Sequence, residues 1–400
     1  MTPLSKSEAT LKSRPSLGSY LPYIFIVVVV ALIAWRLTYL ITALNYQPSF
    51  FVGAFMQSLQ LGSLYALIAL GYTMVYGIIR LINFAHGEVF MVGAFVSYFI
   101  FANTPYSLPW AVVAGALTAL GLMYVLSLWR GSLRDPVVYA GGTLGLAGFT
   151  LLYSLGELNW MVALVSSMLI TGVVGIALDR IAYRPLRGAP RISLLITAIA
   201  MSFFLQNFGV LAFTRNVTPY RPETLWTDNI SFEVLGGTVF TSRTIFLVVL
   251  LTLVLVVALT LFVSRTRLGK AMRATSQDPE VAQMMGVNVN RVIATTFLLG
   301  SMLAAAAGVL WGMSYQVLSQ PAILGILPGI KAFAAAVIGG IGSLPGAVLG
   351  GILLGFMENF FTALFPGITQ YRDSLAFALL ILVLLIRPSG IIGEDLSEKV

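Results

Sequence analysis

The sequence predicts an all-α, polytopic membrane bundle, and three observations predict it. Of the 400 residues, 58% are hydrophobic and only 10% charged, with a mean hydropathy of +0.93. Apolar runs near the ~20 residues that a helix needs to cross a bilayer recur from Leu21 to Ile386. Between them, Lys and Arg gather in a few loops, as cytoplasmic loops of membrane proteins do. The absence of cysteine excludes disulfides, thiolate metal sites and cysteine nucleophiles. The net charge of +8 reads as a topology signal, so no nucleic-acid partner is implied.

Residues 1–20 read as a short disordered cytoplasmic tail carrying Lys6, Lys12 and Arg14, with no small-residue cleavage site after it. About eleven apolar segments follow, near 21–43, 56–79, 89–102, 108–129, 137–155, 160–178, 192–213, 244–263, 292–316, 332–364 and 374–386. Two loops anchor the topology. One spans 179–191 with Arg180, Arg184, Arg187 and Arg191; the other spans 264–291 with Arg265, Arg267, Lys270, Arg273 and Arg291. Both are expected on the cytoplasmic side. Alternation then puts Arg80 and the pair Arg130 and Arg134 inside too. It puts 44–50, 103–107 and 156–159 outside, and none of these contains Lys or Arg. The tail falls inside, in agreement with its own charges. Segment 332–364 reads as one long helix or as two halves broken at Gly342-Ser343-Leu344-Pro345-Gly346. A break would be expected to line a cavity, because exposed backbone in a bilayer needs water or protein. The side of the C-terminus stays open. Residues 214–243 form a long outer loop with Pro219 and Pro222, read as a solvated connector or as a docking face for an external solute-binding protein.

The polar island 264–291 carries its own helix punctuation. Asp278 suits an N-cap, Pro279 the first helical position and Gly286 a left-handed stop. Between them Val281, Met284 and Met285 fall at i, i+3, i+4 on one face, and Glu280 and Ala282 complete the stretch. A soft apolar face on an aqueous helix suits a groove on a partner; an ordinary surface turn is the plainer alternative.

No catalytic or nucleotide-binding grouping accompanies it. The Gly269-Lys270 pair lacks the upstream glycine and following hydroxyl of a phosphate loop, and His86 has no metal-ligand spacing around it. No cofactor is therefore expected on this chain, and ATP, if it drives transport, would be bound by other subunits. Polar residues inside apolar runs are the remaining candidates, because each needs a partner or water. Gln57, Gln60, Tyr65, Tyr72, Gln206, Asn207 and Glu358 are candidates to face a pathway. Asn83, His86 and Glu88 read as a structural, hydrogen-bonded cap that ties two helix ends together. Gly342, Gly346 and Gly350, and separately Gly351 and Gly355, recur every fourth residue, a spacing that lets helix backbones touch.

Five stretches carry a family resemblance: residues 61–96, including Asn83-Phe-Ala-His86-Gly-Glu88; 179–188; 192–207; 268–294, with Glu280-x-Ala282-x-x-x-Gly286; and 329–355, with Gly339-Gly-Ile-Gly-Ser-Leu-Pro-Gly-Ala347. Residues 374–393 are similar too. On these the chain resembles the membrane subunits of branched-chain amino acid ABC importers, on the LivH side of the LivH/LivM pair. Related permeases for urea and other amino acids look alike in the same regions.

The resemblance implies a type II importer-like fold in a bacterial inner membrane. It also implies a LivM-like second permease, two ATPase subunits and a periplasmic solute-binding protein, with the 278–286 helix docking on the ATPase. A permease domain over 49–395 is then expected. Against the family pattern the chain departs by an additional N-terminal span, 21–48, and by apparent inserted spans at about 125–165. A self-contained secondary transporter or channel is the rival from another class; it would call for inverted repeats, which are not evident here.

Overall fold

The computed structural model describes residues 31–101, 108–154, 159–220 and 228–393. The tail 1–20 and the start of the first expected span, 21–30, lie outside the described residues. Helix α1 is Ala31–Ala43 and α2 is Pro48–Ile79, opened by Pro48 at its first position and closed by Arg80 in the left-handed region. There follow α3 (His86–Phe101), α4 (Leu108–Arg130), α5 (Pro136–Ser154), α6 (Trp160–Leu178), α7 (Arg191–Ala212) and α8 (Thr244–Arg265). The polar island folds as α9 (Arg267–Gln277) and α10 (Pro279–Met284), and the chain re-enters the apolar layer as α11 (Val289–Tyr315). The last part comprises α12 (Pro321–Leu324), α13 (Ile326–Gly339), α14 (Leu344–Gly355), α15 (Phe361–Leu364) and α16 (Arg372–Ile386). Among the described residues, nine helical stretches are long and apolar enough to cross a membrane, and three shorter apolar helices accompany them.

Helix α11 is the hub, with α2, α3 and α6 packed around it. Its middle, Ala304 to Gly308, is a run of small buried residues, so neighbouring backbones come close. A Cβ on Gly93 of α3 would lie only 2.4 Å from the Cα of Ala305. On the other side of α2 lies α14. There a Cβ on Gly355 would sit 2.3 Å from the backbone nitrogen of Gly62, and one on Gly351 would sit 2.5 Å from that of Ala66. Gly346 and Gly350 instead face Gly339 and Ala335 of α13. Both glycine stripes are thus used inside the chain.

The segment expected at 332–364 is two helices. Gly340 and Gly342, with φ of +107° and +99°, turn the chain between α13 and α14, and the Ser343 hydroxyl caps α14 by accepting from Gly346 N–H at 3.2 Å. The expectation that such a break lines a cavity gives way here to a different solution. The N–H groups of Ile391 and Ile392 donate to the carbonyls of Ile338 and Gly339, both at 2.9 Å, so the segment after α16 covers the break. Gly342 also lies beside Gly77 near the end of α2. The described C-terminal residues therefore share the end of the bundle that carries Arg80, α9 and α10. We call this the loop end.

The opposite end carries the β-structure that an all-α reading left as loop. Strands β1 (Thr218–Pro219) and β4 (Val317–Leu318) pair antiparallel, and β2 (Asn229–Val234) pairs with β3 (Gly237–Ser242) in a hairpin. Its two-residue turn, Leu235-Gly236, has both φ values positive, the geometry that matches strand twist. The hairpin rests on the start of α2, with Gly237 against Ser49 and Val239 near Gly53. Residues 221–227, including Arg221, Pro222, Glu223 and Trp226, lie outside the described residues.

Candidate coupling surface and buried polar sites

The loop end presents α9 and α10 as one small unit. Thr266 caps α9 by accepting from Gly269 N–H at 2.9 Å, and α9 buries Met272 and Thr275 while packing on α2, α8 and α11. Its partner α10 starts where the Asp278 carboxylate accepts from the N–H groups of Glu280 and Val281, at 2.9 and 3.0 Å. Gly286 ends the turn with φ +83°. Ala282 is buried, but Val281, Met284 and Met285 are 54%, 85% and 80% exposed. A six-residue helix has little stability of its own. This one is held by its cap, by Pro279 and by Ala282, and it turns its methionines away from the bundle.

A cleft of about 920 Å³ opens behind α10, between it and the membrane helices. Ile78 to Leu81 from the end of α2, Tyr183, Arg187 and the 275–290 stretch line it. The α9–α10 unit is thus attached at α9 and at the start of α11, with free space between α10 and the end of α2.

Of the candidate pathway residues, only some converge. Tyr65 and Glu358 do: the Tyr65 hydroxyl donates to both Glu358 oxygens at 3.2 Å. The missing member was Lys331 of α13, whose ammonium donates to Glu358 at 2.9 Å and to Asp373 of α16 at 2.7 Å. Lys331 thus ties α13 to α16 and to a π-helical turn, Phe356–Phe360, that joins α14 to α15, and Glu358 of that turn extends the group to α2 through Tyr65. Lys331 stands one residue outside the segment expected from 332, which is why sequence reading passed over it. A lone Lys in an apolar run was the available signal.

The other candidates separate. Gln60 donates to the Ser314 hydroxyl at 2.8 Å, while exposed Gln57 lends only its carbonyl, to Asn359 at 3.2 Å. Tyr72 is buried with its ring edge-on to His86, centroids 4.8 Å apart. Asn207, expected to face a pathway, is exposed on the outer side of α7 and donates to the Phe203 carbonyl of its own helix. With one face of α7 turned outward, a helical neighbour of buried Gln206 falls outside.

The His86 N–H donates to the Asn83 carbonyl at 3.0 Å, closing the turn between α2 and α3, but among the described residues the three side chains reach separate partners, so the expected cap is spread over three ties. Asn83 accepts from the Tyr183 hydroxyl at 2.6 Å. His86 opens α3 and packs on α2. Glu88 accepts from Gln206 at 2.9 Å and from Ser202 at 3.4 Å, joining α3 to α7. Tyr183 belongs to a second π-helical turn, Asp179–Tyr183, and Asp179 there pairs with Arg187. Neither Tyr183 nor Asp179 was singled out from sequence. Residues at element ends give no periodic signal.

Fold and site together define a polytopic, helical membrane protein with a short, methionine-bearing helix exposed at its loop end, of the kind that serves as a transporter subunit. The sequence places it more closely. A model of the family described as branched-chain amino acid transport system / permease component matches residues 54–140 and 138–384, and the chain belongs to that family. It is 42% identical to the high-affinity branched-chain amino acid transport system permease protein BraD of Pseudomonas aeruginosa, over 86% of this chain and 95% of that protein. It is 40% identical to the permease protein LivH of the corresponding system in Escherichia coli K12, over 88% of this chain and 98% of that protein. A probable LivH of Methanocaldococcus jannaschii is 28% identical over 83% of this chain and 90% of its own length. No solved structure matches the chain.

Proposed function

We propose that this chain forms half of the membrane pathway of an ABC importer for branched-chain or other hydrophobic amino acids in a bacterial inner membrane. A LivM-like permease would supply the other half. Two separate ATPase subunits would bind and hydrolyse ATP, and a periplasmic solute-binding protein would deliver the substrate. The observation that carries this reading is α10, with Met284 and Met285 exposed on a helix that is otherwise fixed to the bundle. Methionines on a short helix fill irregular grooves well, and such a helix is read by a partner through a few apolar anchors.

In this reading the loop end is cytoplasmic. It holds Arg180, Arg184, Arg187, Arg265, Arg267, Lys270 and Arg273, and the tail with Lys6, Lys12 and Arg14 lies on the same side. Closure of the ATPases on ATP moves α10. Helix α9 and the start of α11 carry the displacement to α2 and the hub, and the cleft behind α10 gives the unit room to move. The differential affinity of the ATPases for ATP in the two states supplies the energy. The β2–β3 hairpin end faces the binding protein. Gln60 and the exposed Gln57 on α2 face the pathway at the seam with the second permease, and buried Tyr65 with the Lys331–Glu358 group braces the helices behind them.

The test is gentle extraction of the tagged chain with mass spectrometry of what accompanies it, followed by reconstitution. Two ATPases and a second permease, with ATP-dependent uptake of labelled leucine, isoleucine or valine, are expected. Uptake of urea with none of these amino acids would reassign the substrate. A chain that transports alone would overturn the importer reading.

A further inference from the structure

The geometry points to a binding site for the phosphate of an anionic membrane lipid, in a second cleft at the loop end. This cleft, about 330 Å³, is lined by Tyr124 and Ser127 of α4, Arg180 and Arg184 of the segment after α6, and Arg291 of α11. Its size is at the lower end of the roughly 300–1,000 Å³ typical of small-ligand sites. Three features select the ligand.

The charge is positive and unspent. Asp179, the acid in the lining, is buried and already paired with Arg187. The Arg180 and Arg184 side chains are exposed, and neither guanidinium makes a hydrogen bond or close ion pair among the described residues, although both add to the positive field around Asp179. Arg291 spends its guanidinium on the Gly131 and Ser127 carbonyls, at 3.2 and 2.7 Å, which holds the α4–α5 turn in place as one wall.

The level is that of headgroups. α4 ends at Arg130, α6 at Leu178 and α11 begins at Val289, so the cleft sits where three apolar helices give way to polar loop. Beside it, Ile181 and Leu133 are 75% and 46% exposed, an apolar rim where acyl chains would lie. Basic pockets between helices at this depth select anionic headgroups, and guanidinium groups bind phosphate oxygens in a fixed fork.

The third feature is position. The cleft joins the end of α4 and the α4–α5 turn, where the stretch read as inserted (about 125–165) begins, to Asn288 and Asn290 directly after the α9–α10 unit. A lipid seated here would bridge the two.

The experiment compares wild type with R180Q/R184Q, both purified as the intact membrane complex and exchanged into nanodiscs of phosphatidylethanolamine with phosphatidylglycerol. Retained phosphatidylglycerol per chain is measured after washing with neutral detergent. Each basic residue near a membrane surface contributes about fivefold, so the double variant is expected to hold the lipid about thirtyfold more weakly. R180K/R184K should recover most of that loss. R134Q, on the exposed turn but outside the cleft, should match wild type. Equal retention in wild type and R180Q/R184Q overturns the site. An R134Q loss as large as that of R180Q/R184Q also overturns it, because attraction is then diffuse. Thermal stabilisation by millimolar inorganic phosphate, with no difference in retained lipid, would mean that the cleft takes free phosphate and would overturn the lipid assignment.

Discussion

Replacing Lys331 with methionine removes the cation that Glu358 and Asp373 share. The two acids lose it unequally. The Asp373 side chain is 48% exposed, so water can replace the ammonium, whereas that of Glu358 is 2% exposed and, among the described residues, keeps only Tyr65 as a side-chain donor. Exposed ion pairs contribute about 0–1 kcal/mol, but breaking a buried pair from one side costs roughly 3–5 kcal/mol. Nearly all of the loss should therefore fall on Glu358. The cycle is closed by K331M/E358L, in which no buried charge remains. That variant should lie within about 2 kcal/mol of wild type, the remainder including about 1 kcal/mol for the unanswered Tyr65 hydroxyl. Reversible unfolding in mixed detergent micelles, followed by tryptophan fluorescence, measures all three variants and E358L alone. A K331M loss below about 1 kcal/mol, or a double variant less stable than either single one, would refute the argument that Glu358 depends on Lys331.

Three further outcomes follow from the same structure. M284D/M285D changes two side chains that touch little of the bundle, so its level in the membrane should match wild type while association with the ATPase weakens about thirtyfold or more, read by co-purification and uptake. G355L forces a side chain into the backbone of Gly62 and should cost at least about 1–3 kcal/mol, seen as a lowered melting temperature. D278A removes an N-cap worth about 1 kcal/mol, and amide exchange across 279–284 should speed up while the spanning helices keep their protection.

The helices were legible in the sequence because a bilayer imposes length and polarity on each one. The punctuation of α10 was legible for a similar reason: Asp278, Pro279 and Gly286 each act locally. Segments without that constraint were harder to place. The hairpin at 229–242 alternates only over six residues per strand, too short to compete with a loop reading beside two prolines. Lys331 was missed because its meaning lies 27 residues away in Glu358 and 42 away in Asp373. Gln206 and Asn207 are adjacent in sequence, yet one reaches Glu88 and the other faces outward. Apolar composition on every side of a membrane helix hides which face is which.

Helix α2 touches both ends of the molecule, the hairpin at Ser49 and Gly53 and the cleft behind α10 at Ile78 and Ile79. Its 32 residues span about 48 Å in one piece. Bound to α14 by backbone contact through Gly62 and Ala66, it has little freedom to bend in its middle and behaves as a beam resting on a fulcrum. A tilt of about 5° would swing one tip by roughly 4 Å relative to the other. A small push on one side of the bilayer would then arrive on the far side as an opposite shift of about 2 Å, with no side chain along the way needing to change partner.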